Sequence, residues 1–285
     1  MTNAVFDLIE PQQILSAVVF ASPHSGAVYP EALKNKTVLT RRALRSSEDA
    51  FVDQLFAAAP GFGAPLICAQ VPRAFVDLNR SPDELDPALI AGIRKQGHNP
   101  RVASGLGVIP RVVSNGRSIY RGKIPLAEAE SRLRDCWHPY HQALQFLLAR
   151  AHDQFGQAIL VDCHSMPHEA IENLSVKGRR PEIVLGDRFG ASASSEVVDK
   201  IEAAFVATGL NVVRNSPFAG AYITQAYGRP SREQHAIQIE IDRSIYMDER
   251  QIRPNANFDM LRGVLNDVIR DIAAIGQSQL PCAAE

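Results

Sequence analysis

The sequence predicts an α/β fold in which a central mixed, largely parallel sheet is flanked by helices. Short apolar runs typical of buried strands alternate along the chain with longer segments that carry an apolar stripe at helical spacing. Two of the strand-like runs also end in small residues, a proline and a histidine. In open α/β sheets the carboxyl ends of the strands line the ligand crevice, so these histidines are expected at a functional site.

Each of these two runs is expected to deliver one imidazole to that crevice. Residues 17–21 lead into the segment SPHSG, which contains His24, and residues 158–161 lead into DCHSMP, which contains His164. A single histidine is more often a hydrogen-bonded core or surface residue, but two at strand ends favour a metal. A hydrolytic zinc site needs about three protein ligands and an open position for water.

The other elements follow from the same periodicities. We predict a helix from about residue 48 to 59, strands at 65–69 and 74–78, and an irregular, functional segment at 79–117. The strongest predicted helix covers residues 126–155, where an apolar stripe recurs at helical spacing. Beyond the strand at 158–161 we expect a second irregular stretch to about residue 190, a helix at 194–208 and a strand at 211–214.

The final predicted strand, residues 236–242, alternates strictly. Its isoleucines share one face, and Gln238, Glu240 and Asp242 share the other. A last helix is predicted at residues 255–275. Because the chain has no internal repeat and no linker-like segment, we expect residues 1–285 to form a single domain.

The composition is typical of a globular enzyme and favours neither nucleic acid nor a membrane as partner. The chain has 285 residues, of which 46% are hydrophobic and 21% charged, and its net charge is −1. No uncharged apolar stretch approaches the length of a membrane span. The N-terminus, with Asp7 and Glu10, is unlike a signal peptide, and the four cysteines are scattered. We therefore expect a cytoplasmic protein with reduced thiols; the number of subunits is not determined by the sequence.

The third metal ligand is expected to be a carboxylate or another histidine. Glu48 and Asp49 are adjacent and both lie near the start of a predicted helix, where acidic residues are also favoured by the helix dipole. Sequence spacing leaves the choice between them open. Asp162 shares strand parity with His164 and is expected to orient a ligand, whereas Cys163 points to the opposite face.

Glu240 is the predicted general base. It lies in the middle of a strand that is predicted to be central in the sheet, and a carboxylate buried there is either paired or functional. As base it would take a proton from the metal-bound water and pass it to the leaving amine.

Further residues are candidates for substrate binding. Arg80 follows a predicted strand and offers a guanidinium fork for a carboxylate, and Arg121 is a candidate for binding a carboxylate or an oxyanion. Surface ion pairs are the alternative for both. Tyr222 lies in a segment that resembles a mobile loop presenting a hydroxyl group, although its glycine and tyrosine also suit an ordinary turn. His138 and His141 form an H-x-x-H pair, but packing or support of a ligand is the favoured interpretation of His141.

No Walker A, G-x-G-x-x-G or G-x-S-x-G motif is present. Nine short segments do form a recognisable set: 22–26 (SPHSG), 48–53 (EDAFVD), 76–80 (VDLNR), 120–125 (YRGKIP), 139–141 (PYH), 162–166 (DCHSM), 220–224 (GAYIT), 239–241 (IEI) and 246–249 (YMDE). Each is weak alone, but in this order the set is specific. Taken together, these segments resemble the N-formylglutamate amidohydrolase family.

The resemblance implies a fold like that of zinc carboxypeptidases and aminoacylases, of the phosphorylase/hydrolase-like type. It implies that zinc is bound by His24, an acidic residue at the position of Asp49, and His164. It further implies that Asn79 and Arg80 grip a substrate α-carboxylate. The implied reaction is hydrolysis of N-formyl-L-glutamate to formate and glutamate, a late step of histidine breakdown.

Three alternatives remain open at the level of sequence. After residue 224 the chain reads Gln225-Ala226, where many members of the family have Arg-His, and this departure favours a different N-acyl amino acid or a small peptide as a second enzyme hypothesis. A non-catalytic binding protein is the third hypothesis. The metal itself is also open, because Mn, Fe, Co or Ni can occupy histidine and carboxylate sites.

Overall fold

The computed structural model of the chain describes residues 5–94, 99–174 and 178–277. Cys282 and the ends of the predicted single domain lie outside these residues. Within them the strands are β1 Phe6–Ile9, β2 Val18–Ser22, β3 Leu66–Ala69, β4 Ile90–Ala91, β5 Ile124–Pro125, β6 Ala158–Met166, β7 Ile183–Gly186, β8 Val212–Arg214, β9 Gln234–Asp242, β10 Met247–Asp248 and β11 Arg253–Pro254.

The helices of the described residues include one long, composite helix and two further long ones. They are α1 Glu31–Lys34, α2 Arg41–Arg45, α3 Val52–Leu55, α4 Pro100–Ala103, α5 Leu126–Arg132, α6 His138–Phe155, α7 Ser195–Val206, α8 Tyr222–Tyr227 and α9 Phe258–Ile275. A π-helical segment, Leu133–Trp137, joins α5 to α6, so the predicted helix at residues 126–155 is confirmed as one rod with a bulge.

Seven of the described strands form a mixed sheet in the order β1-β3-β2-β6-β9-β7-β8. The central strands β3, β2, β6 and β9 run parallel, whereas β1 and β7 pair antiparallel with β3 and β9. This arrangement confirms the predicted α/β fold with its mixed, largely parallel sheet. No helix in the described ranges is both long and apolar enough to cross a membrane.

Strand alternation separates two cores on the two faces of the sheet. Ile237, Ile239 and Ile241 lie in one core with apolar residues of α7 and α9. Leu160 and Ala236 lie in the other core, which is covered mainly by α6 and by the loops between β3 and β5. Side chains of even number on β6 and β9 therefore continue along this second face until they reach the carboxyl end of the sheet.

Three predicted elements differ from the structure. The helix expected from residue 48 begins only at Val52, because Phe51 has a left-handed backbone (φ 70°) that interrupts any earlier turn. Residues 74–78 are buried like a strand but form turns, with the Phe75 amide donating to the carbonyl of Pro72. Burial, rather than strand pairing, therefore explains the apolar run at 74–78. The irregular stretch expected up to residue 190 contains β7, whose short apolar run is typical of a buried strand.

Candidate metal centre

Three potential metal ligands converge at the carboxyl end of the sheet. His24 follows β2, Asp49 precedes α3, and His164 lies within β6; one ligand atom from each lies within 4.8 Å of the others, and all three residues are buried. The main chain ties the first two together, because the Asp49 amide donates to the His24 carbonyl at 3.0 Å. A cluster of two imidazoles and one carboxylate is a donor set that suits zinc.

Carboxylates hold both imidazoles from the side that faces away from this cluster. Nε2 of His24 lies 2.7 Å from Oδ1 of Asp77, and Nε2 of His164 lies 3.0 Å from Oδ2 of Asp162. These contacts leave the two Nδ1 atoms facing Asp49, whose Oδ2 lies 3.4 Å from His24 Nδ1 and 2.8 Å from His164 Nδ1. The arrangement is that of metal-binding histidines whose second nitrogen is fixed by a carboxylate.

One buried atom tests whether these residues fit a metal. His24 Nδ1 is buried and has no hydrogen-bond partner among the described residues. Such an atom costs free energy unless a ligand occupies its lone pair. A divalent cation between the two Nδ1 atoms and Asp49 would satisfy it, so the residues fit the implied metal.

Glu48 and Asp49 point to different surroundings. Glu48 accepts hydrogen bonds from the Tyr29 hydroxyl and from Nε of Arg45, and it does not line the cavity beside the histidines. Asp49 lines that cavity, and its Oδ1 accepts from Nη2 of Arg243 at 2.8 Å. Burial opposes ionisation of Asp49, but its contacts with His164 and His24 hold the pKa of this carboxyl well below its usual range. Of the two acidic residues, Asp49 is the one placed to be a ligand.

Glu240 lies next to His164, since the two residues are paired in the register of the parallel strands β9 and β6. Its Oε1 accepts a hydrogen bond from Nε2 of Gln238 at 2.8 Å. Burial raises the pKa of Glu240 to about 7, and the nearby carboxylate of Asp49 acts in the same direction while His164 opposes it. A carboxyl group with such a pKa can both accept and donate a proton near neutral pH.

These side chains open into a cavity of about 620 Å³. Asn79 and Arg80 line it, although Arg80 follows a turn and not the strand that we predicted. Nδ2 of Asn79 donates to Asp162 at 3.0 Å and its Oδ1 accepts from the Ile223 amide at 2.7 Å, so this side chain also joins the site to α8. Nε of Arg80 is buried without a hydrogen-bond partner among the described residues.

The structure does not bring Arg121 or Tyr222 to the cavity. Arg121 is exposed and is absent from the described cavity lining. Its neighbour Tyr120 is buried and accepts from Nη1 of Arg132, which also donates to the carbonyl of Phe75. This segment therefore supports the turn that precedes Arg80 instead of contributing a cation.

Tyr222 begins helix α8 and does not lie in a loop. Its ring packs beside those of His141 and Trp137, at centroid distances of 5.6 and 5.8 Å. Gln225 is exposed and Ala226 packs against the second core, so neither faces the cavity. The departure from Arg-His at these two positions consequently lies outside the cavity.

The two histidines of the H-x-x-H pair, His138 and His141, do not line the cavity. His141 stacks on Trp137, and its ring nitrogens contact the Leu78 carbonyl at 2.9 Å and the Tyr227 hydroxyl at 2.7 Å. Burial lowers the pKa of His141 to about 4, so it is neutral at physiological pH. His138 is exposed, so the H-x-x-H pair does not converge on a metal.

Two of the cavity arginines that were missed in the sequence bind buried carboxylates of the site. Arg73 lines the cavity and its Nε donates to Oδ2 of Asp77 at 2.9 Å, while Arg243 lines it and binds Asp49. Neither lies in a recognisable motif. The available signal in the sequence was proximity to a predicted site residue: Arg73 lies seven residues before Arg80, and Arg243 lies three residues after Glu240.

Known proteins similar to this chain share one family. The family model for N-formylglutamate amidohydrolase matches residues 16–247. The N-formylglutamate deformylase of Pseudomonas putida is 32% identical over 237 residues, which are 82% of this chain and 83% of that protein. The Pseudomonas aeruginosa enzyme of the same name is 32% identical over 267 residues, 92% of this chain and 94% of that protein.

A solved structure extends the similarity to the whole fold. The crystal structure of N-formylglutamate amidohydrolase from Ralstonia eutropha JMP134 superposes with a TM-score of 0.89 at 34% identity, covering 96% of this chain and 98% of that one. The family match, the identity to the Pseudomonas relatives and the shared fold lead to one conclusion: the chain belongs to the N-formylglutamate amidohydrolase family.

Proposed function

We propose that this chain is a metal-dependent amidohydrolase that converts N-formyl-L-glutamate and water into formate and L-glutamate. The observation that carries the proposal is the convergence of two Nδ1 atoms and one carboxylate oxygen beside Glu240. The names of the Pseudomonas relatives support the substrate.

In this proposal His24 and His164 hold the metal through Nδ1 and Asp49 holds it through Oδ2. Zinc is the metal that this donor set favours. When bound, it would supply Lewis-acid polarisation of the formyl carbonyl and lower the pKa of a coordinated water. Asp77 and Asp162 would keep the two imidazoles in the tautomer that presents Nδ1.

Glu240 would transfer the proton that the reaction requires. It accepts a proton from the attacking water as the new C–O bond forms at the formyl carbon. It then donates that proton to the amide nitrogen as the C–N bond breaks, which releases formate and the free amine of glutamate. Its raised pKa of about 7 suits both transfers.

Arginines would supply positive charge to the substrate. Arg73 takes the role that we first predicted for Arg121, because its guanidinium lines the cavity and is held by Asp77 beside His24. There it can stabilise the oxyanion of the tetrahedral intermediate. Arg80, with Nε unpaired, would bind the α-carboxylate, while Asn79 positions the surrounding turn.

The direct test is formate release from N-formyl-L-glutamate by the purified protein before chelation, after chelation and after addition of Zn²⁺. We expect activity that chelation removes and zinc restores. Formate release that is indifferent to chelation would contradict the metal. No formate from metal-loaded protein would contradict the substrate.

A second candidate substrate class is favoured by the size of the cavity. About 620 Å³ is typical of a site for a larger molecule, and the cavity lining includes the apolar residues Leu106, Val112 and Phe218. An N-acyl amino acid with a longer acyl chain would offer apolar surface to such residues. Comparing kcat/KM for formyl, acetyl and longer acyl derivatives of glutamate distinguishes the two, because a formyl-specific enzyme will lose activity with each added carbon.

A further inference from the structure

The cavity contains more positive charge than the proposed chemistry uses. Four arginine side chains line it: Arg73, Arg80, Arg101 and Arg243. Two of them are hydrogen-bonded to buried carboxylates, Arg73 to Asp77 and Arg243 to Asp49. The other two are available to a ligand.

Arg80 is held near carboxylates without a hydrogen bond to them. Its Nε lies 3.9 Å from an oxygen of Asp77 and 3.9 Å from an oxygen of Glu84, both beyond hydrogen-bond distance. Burial lowers the pKa of Arg80, and the positive charges of Arg73 and Arg101 act in the same direction. Arg101 is thus close enough to Arg80 for their charges to interact.

Arg101 has a fixed main chain and an exposed side chain. It lies in α4, where its amide donates to Oδ1 of Asn99 at 3.0 Å and its carbonyl accepts from the Leu106 amide at 2.8 Å. Asn99 is held in turn by Oε1 of Glu84 at 3.1 Å. The guanidinium of Arg101 has no ion-pair partner among the described residues, and residues 95–98 (KQGH), which precede Asn99, contain no carboxylate.

We propose that Arg101 is the residue that selects an acidic side chain: it binds the distal carboxylate of the substrate while Arg80 binds the α-carboxylate. Two neighbouring guanidinium groups repel each other, and a substrate with two carboxylates neutralises both, whereas one with a single carboxylate leaves Arg101 unpaired. This inference rests on the proposed function and adds the specificity determinant to it.

The experiment compares zinc-loaded Arg101→Met with zinc-loaded wild type on four substrates. They are the N-formyl derivatives of L-glutamate, L-glutamine, L-methionine and L-lysine. For N-formyl-L-glutamate we expect kcat/KM to fall roughly 10- to 100-fold, mostly through KM, the scale of one lost hydrogen bond to a charged group. For the glutamine and methionine derivatives we expect less than about a threefold change, since neither presents a charge to Arg101.

A charge-reversed variant and a control sharpen the comparison. Arg101→Glu should raise the rate ratio of the lysine to the glutamate derivative. Arg134→Met is the control, because Arg134 is exposed on the helical rod and is not a cavity residue. An equal fall for all four substrates, or no fall for glutamate, would overturn the role of Arg101 alone. If metal-loaded wild type hydrolyses none of the four, the proposed function fails and this inference fails with it.

Discussion

Glu240 on β9 and His164 on β6 lie side by side on the same face of the sheet, as register partners in its central parallel strand pair. The pairing fixes the proposed base beside a proposed metal ligand through main-chain hydrogen bonds, not through a flexible loop. Two residues earlier the same register pairs Asp162 with Gln238, and these side chains contact His164 and Glu240. One strand pair therefore positions both the ligand and the base.

The first prediction concerns Glu240. Glu240→Gln retains the shape of the side chain but removes its ability to accept the proton, so we expect kcat to fall by roughly two to four decades. Bound zinc, measured by elemental content, should stay near the wild-type level because Glu240 is not a proposed ligand. Near-normal turnover in this variant would refute the assignment of Glu240 as the base.

The second prediction concerns Arg243, which donates to Oδ1 of Asp49 and leaves Oδ2 directed at the histidines. In Arg243→Met that carboxylate loses its anchor, and we expect zinc affinity to fall roughly 10- to 100-fold, the usual scale for loss of a contact behind a metal ligand. Competition with a chromophoric chelator measures this affinity.

Two variants control for loss of folding at this buried position. Arg243→Lys keeps the charge and should recover part of the affinity, and Arg250→Met removes an exposed arginine from a nearby segment. The thermal midpoint of each metal-free variant reports on the fold. Unchanged zinc affinity in a folded Arg243→Met protein would argue against the positioning role.

The third prediction concerns His141 and acid stability. Its pKa is about 4 in the folded protein and near 6.5 in the unfolded chain, because burial disfavours the charged imidazole. The unfolded state therefore binds more protons between these values. The stability associated with neutral His141 is fully present above pH 6.5 and is lost as the pH falls towards 4, by about 2 kcal/mol at pH 5.

Urea unfolding at pH 7 and pH 5 measures this loss. In His141→Gln the decrease in the free energy of unfolding between the two pH values should be smaller than in wild type by about 2 kcal/mol. His138→Gln, which removes an exposed histidine from the same helix, is the matched control. The same decrease in wild type and His141→Gln would show that this histidine does not contribute to the acid sensitivity.

The sequence by itself determined the strands that carry the site and the faces of their side chains. Alternation along residues 236–242 placed Glu240 opposite the isoleucines, and parity along β6 separated Asp162 and His164 from Cys163. These predictions succeeded because a strand repeats every two residues, so local sequence encodes which face a side chain occupies.

Only the tertiary structure decided which polar groups meet. Asp49 and Glu48 are neighbours in sequence, but Glu48 pairs with the nearby Arg45, whereas Asp49 contacts Arg243 far along the chain. Arg121 lies in a matching motif but outside the cavity, whereas Arg73, Arg101 and Arg243 line it without any motif. Loop residues have no repeat from which direction can be read, and their contacts join distant segments, such as those of Asp49 and Arg243, which are 194 residues apart.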